Sequence, residues 1–397
     1  MIEIRKKDFT PVLLLTAMGC MWMILHALIG GSFAGATGYN TYTLQALAWR
    51  SGSLHLPYDY PHLELAIFEG EYYVSFPPLP SVILLPLTFF FGSATPDNLL
   101  VKIYAAAACI FIFYTMKRAQ YSRLSSALFA FFFAFASSCL PMTLNGAVWY
   151  HAQVLAFFLI TASICLLAGD HPTSALLCYA LSVACRPFHA LYALPLFFVY
   201  WIIEKRAHIS LLNTTRRLAP GIFAGLCVAA AIGLYNFARF GNPFEFGHNY
   251  LPEFSFQGGT QFSVSHVINH LKTFVWGLPM EMRNGVLAFK QFGYSAFIAC
   301  PTLLLMLIWF IADLFKKQMR WEKAIVLITF FLHFFLLLLH RTFGGYQLGA
   351  RYTVDLIPYS FLYLLLTPEK RRLSLWEALL LGGIFLFTCW GITQIHI

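Results

Sequence analysis

Charge is what this sequence has least of. Asp, Glu, Lys and Arg together make up 11% of 397 residues, against roughly 25% in a soluble domain. That scarcity excludes an ordinary soluble enzyme. The formal net charge is +9, but the cations fall in short clusters between apolar runs, so they do not form a nucleic-acid footprint. Nine cysteines all sit inside apolar runs. They read as small buried hydrophobes, with neither a disulfide framework nor metal-ligand spacing. Internal repeats and low-complexity tracts are missing, and no soluble domain is expected. No small-residue cleavage site follows the basic Ile2–Asp8 stretch, so Phe9–Leu28 is expected to stay as a membrane helix.

What the chain has instead is apolar length. Hydrophobic residues make up 59% of it, and runs of membrane-spanning length recur from end to end. The basic clusters set a topology. They are Arg5-Lys6-Lys7, Lys117-Arg118 with Arg123, Lys205-Arg206 with Arg216-Arg217, Lys316-Lys317 with Arg320 and Lys323, and Lys370-Arg371-Arg372; they hold 17 of the 26 Lys and Arg. Placing all five in the cytoplasm requires an even number of crossings between neighbours. The run Leu79–Gly92 is short and contains Pro80 and Pro86, so it is read as an outer-interface helix. The expected fold is an all-α integral membrane protein of about eleven spans, near 10–32, 99–116, 124–140, 147–168, 172–186, 188–203, 218–237, 293–315, 322–339, 353–367 and 373–393. The N-terminus is then cytoplasmic and the C-terminus extracytoplasmic.

This topology leaves two large outer loops, 33–98 and 238–292, within a single polytopic membrane domain. Each holds a segment with helical apolar spacing, Tyr39–Arg50 and Val264–Trp276. Interfacial placement suits both, and so does packing against the bundle. Functional polar groups are expected on the same outer side.

The first outer loop concentrates acids among aromatics. Asp59, Glu64, Glu69 and Glu71 fall within 13 residues, beside Tyr72, Tyr73 and Phe76. A carboxylate held against an aromatic wall can act as a general base; solvated loop charge is the ordinary alternative. Glu69-Gly70-Glu71 reads as an exposed tight turn. Asp59 and Glu64, with apolar neighbours, are the better catalytic candidates. Elsewhere on this side stand His151 at the start of a span and Arg186 with His189 in a turn. Arg186 is the one Lys or Arg between Arg123 and Lys205. Arg239, Glu245 and His248 follow a span, around the turn residues Gly241 and Pro243.

The segment Arg341–Asp355 lies between apolar runs and carries two arginines. Its glycines permit close backbone approach. Arg351 and Asp355 stand i, i+4, so they either pair on one helix face or leave Arg351 to a ligand. Arginine forks suit phosphate, while aromatic faces such as Tyr352 suit sugar rings and lipid chains.

Three blocks carry a resemblance: Leu63–Pro80, Tyr235–Gly247 and Gly349–Pro358. In order and spacing the chain resembles bacterial multi-span glycosyltransferases of the GT-C fold, the superfamily of protein mannosyltransferases and aminoarabinose transferases. The resemblance implies a membrane glycosyltransferase that moves a sugar from a polyprenyl-phosphate donor to a glycan, lipid or protein acceptor on the extracytoplasmic face of the cell membrane, with membrane lipids as further partners. It implies an acid in the first outer loop acting on the acceptor, and basic residues holding the lipid phosphate. The superfamily acid usually lies just after the first span; here Gly38-Tyr39-Asn40-Thr41-Tyr42 has none. The role then falls to Glu64, inside the matching block, or to Asp59. Arg186, Arg239, Arg341 and Arg351 are the phosphate candidates. The superfamily is mixed in its need for a divalent cation, and no ligand set is evident in this chain. Two alternatives stand beside this reading. One is a flippase or transporter of lipid-linked sugar, which the nearly charge-free spans disfavour. The other is a non-catalytic lipid-binding assembly subunit.

Overall fold

The computed structural model describes residues 8–206, 208–253, 260–342, 344–367 and 372–395. The clusters at 5–7 and 370–371 lie outside the described residues. Each of the eleven predicted spans contains a helix. In order, the elements are α1 (Thr10–Ile29), α2 (Thr41–Arg50), a hairpin of β1 (Leu65–Phe68) and β2 (Glu71–Val74), α3 (Leu79–Phe91), α4 (Asp97–Arg118), α5 (Arg123–Phe135), the single turn α6 (Cys139–Met142), α7 (Val148–Ala168) and α8 (Pro172–Cys185). A 3-10 turn at Pro187–Tyr192 runs into α9 (Ala193–Arg206), followed by α10 (Leu211–Phe240). Then come α11 (Val267–Leu271), the hairpin β3 (Met280–Arg283) and β4 (Val286–Phe289), α12 (Ala296–Ala299), α13 (Pro301–Phe315), α14 (Trp321–Leu339), a 3-10 turn at Arg351–Leu356, α15 (Ile357–Leu365) and α16 (Leu375–Gln394).

Among the described residues, seven helices are long and apolar enough to cross a membrane. The predicted spans at 124–140, 172–186, 293–315 and 353–367 form shorter helices: α5, α8, α13 and α15 have 13, 14, 15 and 9 residues. Proline explains two of these starts, since Pro172 and Pro301 open α8 and α13 and the chain ahead of them cannot continue a helix. The chain is a multi-pass membrane protein.

Burial ranks the helices. In α7, 83% of the apolar window is enclosed, against 11% in α10. Helix α7 packs on α4 and α8, and α10 packs on the other side of α8. So α7 is the central post and α10 the outer one, its apolar surface left for lipid.

The loops depart from expectation in three ways. First, the hairpin β1–β2 pairs Leu65 with Val74 and turns at Glu69-Gly70, both at positive φ. That agrees with the predicted Glu69-Gly70-Glu71 turn, although the strands had no sequence counterpart. Second, α2 is enclosed: Thr41, Tyr42, Thr43, Gln45, Ala46 and Ala48 are all buried. Packing, one of the two readings of this segment, describes it. Third, Val264–Trp276 is not one regular helix but passes from 3-10 through α11 to a π turn. There Val264, Ile268 and Trp276 are exposed.

Candidate active site

A cavity of about 770 Å³ opens where the first loop, the start of α7, the end of α8, the chain after α10 and the chain after α14 converge. It has an acidic wall and a basic wall.

The acidic wall begins with Glu64, one residue before β1. Hairpin pairing and the bond from Ser75 Oγ to the Glu64 carbonyl, 3.3 Å, hold its backbone. Its Oε2 accepts from Trp149 Nε1 at 2.9 Å. Glu64 is exposed by surface area, and its side chain opens into the cavity that it lines. Desolvation by the surrounding protein raises the Glu64 pKa, the indole N–H opposes that, Glu253 adds to the rise and Arg351 offsets it.

The basic wall comes from the segment after α14. Arg351 is 6% exposed. Its Nε donates to the Gly344 carbonyl at 2.6 Å and its Nη1 to the Trp149 carbonyl at 3.4 Å. No carboxylate among the described residues reaches it. Gly344, at φ +115°, permits this contact, because a Cβ there would lie 2.9 Å from Arg351 Nε. Arg186 belongs to the same wall, and the Tyr352 ring stands between the two guanidiniums, 5.2 Å from Arg186 and 4.8 Å from Arg351.

Asp355 pairs with Arg186, not with Arg351. Arg186 Nε and Nη2 donate to Asp355 Oδ2 at 3.0 and 2.7 Å. The i, i+4 geometry needs an α-helix, and Arg351–Leu356 is a 3-10 turn that rotates successive side chains differently. Gln153 Nε2 donates both to Asp355 Oδ1 and to the Arg351 carbonyl, and Tyr192 donates to the Asp355 carbonyl. Asp355 is thus the buried anchor that aims Arg186.

The third wall is the turn after α10. Glu245 accepts from the Gly247 N–H and from Asn249 Nδ2, both at 2.6 Å, so its carboxylate holds the turn. Gly247 has φ +100°, and a Cβ there would meet Phe240 Cζ at 3.0 Å and Ala66 Cβ at 3.2 Å. Close packing of this turn on the hairpin requires the glycine. His248 and His340 also line the cavity. Burial pushes both imidazoles down to about 4, with Arg186 adding to the effect. They are neutral near pH 7, which leaves the positive charge of the cavity to Arg351 and Arg186.

The cavity thus brings together Glu64, Arg186, Glu245, His248, Arg351 and Tyr352 from the sequence-predicted set. The others stand elsewhere. Asp59 is exposed on the first loop. Tyr72 and Tyr73 are hairpin residues, with Tyr73 packed on Phe240. His151 is buried between Tyr42 and Tyr104. His189 lies behind the basic wall, Nε2 3.6 Å from Asp355 Oδ1. Arg239 donates to the Val74 carbonyl at 2.7 Å and to Asn236 Oδ1 at 2.8 Å, tying α10 to the hairpin. Arg341 donates its backbone N–H to the Gln261 carbonyl and is not part of the lining.

Sequence reasoning missed several lining residues: Tyr39, Trp149 as the partner of Glu64, Asn249, Glu253 and His340. His340 adjoins the Arg341 segment, so a boundary drawn one residue earlier would have included it. Among the described residues no three His, Cys, Asp or Glu come together as a metal-ligand set.

No family model matches the chain, and no curated protein matches it. Solved structures resemble it. The Archaeoglobus fulgidus oligosaccharyltransferase in its apo form shares 12% identity, with a TM-score of 0.46 over 98% of this chain and 56% of its own. Apo ArnT from Cupriavidus metallidurans shares 14%, with a TM-score of 0.45 over 91% and 60%. The same ArnT bound to undecaprenyl phosphate shares 15%, with a TM-score of 0.48 over 95% and 62%. The chain spans between about half and two thirds of the length of these proteins.

Proposed function

We propose that this protein transfers a sugar from a polyprenyl-phosphate donor to an acceptor hydroxyl, in the cavity and on the extracytoplasmic face of the membrane. One observation carries the reading. Arg351, a buried arginine with no carboxylate partner among the described residues, faces the same cavity as a carboxylate with a raised pKa, Glu64. A buried charge without a counter-ion calls for an anionic ligand, and a guanidinium fork fits phosphate oxygens.

The chemistry follows from the two poles. Glu64 takes the proton from the acceptor hydroxyl, and the acceptor oxygen bonds to the anomeric carbon. The bond from that carbon to the phosphate oxygen breaks, and its electron pair leaves with the polyprenyl phosphate. Attack opposite the leaving group inverts the anomeric centre. Arg351, with Arg186 held by Asp355, stabilises the charge that grows on the phosphate. A carboxylate with a raised pKa suits a base working near neutrality.

Glu64→Gln, assayed with lipid-linked sugar donors, tests the assignment. The expected loss is about 10²–10⁴-fold in transfer, with polyprenyl phosphate binding retained. Full transfer by Glu64→Gln overturns the base role. Tight binding of polyprenyl phosphate by the wild type, without turnover on any lipid-linked sugar, makes it a lipid-binding protein instead.

A further inference from the structure

Trp149 touches both poles of the cavity. Its indole Nε1 donates to Glu64 Oε2 at 2.9 Å, and its carbonyl accepts from Arg351 Nη1 at 3.4 Å. It stands in the first turn of α7, the most enclosed of the long apolar helices. Its ring leans on Tyr39, centroids 5.2 Å apart, and Tyr39 in turn meets His62. Glu64, by contrast, enters a two-stranded hairpin on a loop. A rigid helix therefore holds a loop-borne acid at a fixed place relative to the arginine.

We infer that Trp149 is a positioning residue: its indole N–H fixes the Glu64 carboxylate against the Arg351 pole and keeps that carboxylate ionised. This rests on the reading of Glu64 as base. An N–H aimed at a carboxylate favours its charged form, and a hydrogen bond to a charged group is stronger than a neutral one. The charged groups that act on Glu64 are Glu253, which disfavours ionisation, and Arg351, which favours it. Arg186, Glu245, His248 and His340 line the same cavity. The rival role for a half-buried indole here is a stacking platform for a sugar ring.

Trp149→Phe keeps an aromatic ring against Tyr39 and removes only the donor. Glu64 is followed by carbon NMR on protein labelled at glutamate carboxyls, its signal assigned by its loss in Glu64→Gln. In Trp149→Phe its pKa is expected to rise by about one unit. On the acidic limb of the pH profile transfer falls through kcat with little change in KM, and that limb moves up with the NMR value. In the Glu64→Gln background Trp149→Phe adds no further loss. Trp149→His retains a ring N–H and is expected to keep Glu64 close to its wild-type acidity. An unmoved Glu64 signal overturns the inference, and so does a loss that adds in full to that of Glu64→Gln. A shifted signal in a protein without transfer activity keeps the Trp149–Glu64 coupling and sinks the base role alone.

Discussion

Charge is handled in opposite ways at two places in the helix bundle. At the end away from the cavity, Arg217 and Lys323 are closed into pairs. Arg217, in the first turns of α10, places Nη2 2.7 Å from both Asp170 oxygens and Nη1 2.7 Å from Glu204. Lys323, at the start of α14, sits 2.6 Å from Asp313 Oδ2, which also accepts from Tyr363 at 2.7 Å. At the cavity end, among the described residues, the Arg351 guanidinium meets carbonyls and aromatic rings but no carboxylate, and the Glu64 carboxylate accepts from an indole. Closed pairs tie α9 to α10, and α13 to α14 and α15. Open charges weaken a fold unless a ligand completes them, so their location marks where a ligand belongs. Arg186 lies between these cases, because Asp355 anchors one edge of its fork while the residue still lines the cavity.

Substitutions should separate the two ends. Lys323→Met leaves Asp313 buried without its cation, and a loss of about 3–5 kcal/mol in stability is expected. Thermal unfolding in detergent would show it, while transfer per folded molecule stays near wild type. Arg351→Ala should do the reverse. Transfer falls about 10²–10³-fold, and the unfolding temperature holds or rises, because a buried charge without a counter-ion has been removed. If Arg351→Ala unfolds the protein as Lys323→Met does, the contrast between the ends fails.

The pH profile sharpens the same comparison. On the proposed reading Glu64 acts as a base, which requires it deprotonated, and desolvation raises its pKa above the ordinary carboxylate value. Transfer is therefore full above that raised pKa and is lost as pH falls through it. An acidic limb lying in the ordinary carboxylate range would contradict Glu64 as a base with a raised pKa. The smallest effect is expected at Asp170, whose side chain is 57% exposed. Asp170→Asn should change stability by less than about 1 kcal/mol, because Glu204 still holds Arg217.

The helices were legible because hydropathy is a local signal. Every predicted span contains a helix, and two of the misjudged lengths, those of α13 and α15, fall where a proline or a 3-10 turn cuts the helix short. The charge pattern was also legible: Arg186 stood out as an isolated cation and Arg351 as one of two in a polar segment. Their partners were not. Asp355 looked like the i, i+4 mate of Arg351, yet its arginine lies 169 residues away in sequence, and no local rule finds that. The two candidate acids of the first loop show the same limit. Both have apolar neighbours in sequence, but the structure puts Glu64 on the cavity wall beside Trp149 and keeps Asp59 out of that lining. The hairpin that follows Glu64 is built from cross-strand pairs, and short strands of mixed pattern carry little single-sequence signal.

The central claim is that Arg351 receives the phosphate of a lipid-linked ligand. Equilibrium binding of a polyprenyl phosphate to wild type and to Arg351→Ala, in lipid nanodiscs, tests it directly, with the uncharged polyprenol as control. Arg351→Ala is expected to weaken binding of the phosphate by about tenfold or more and to leave the polyprenol unaffected. Equal affinity of the two proteins for polyprenyl phosphate would contradict it.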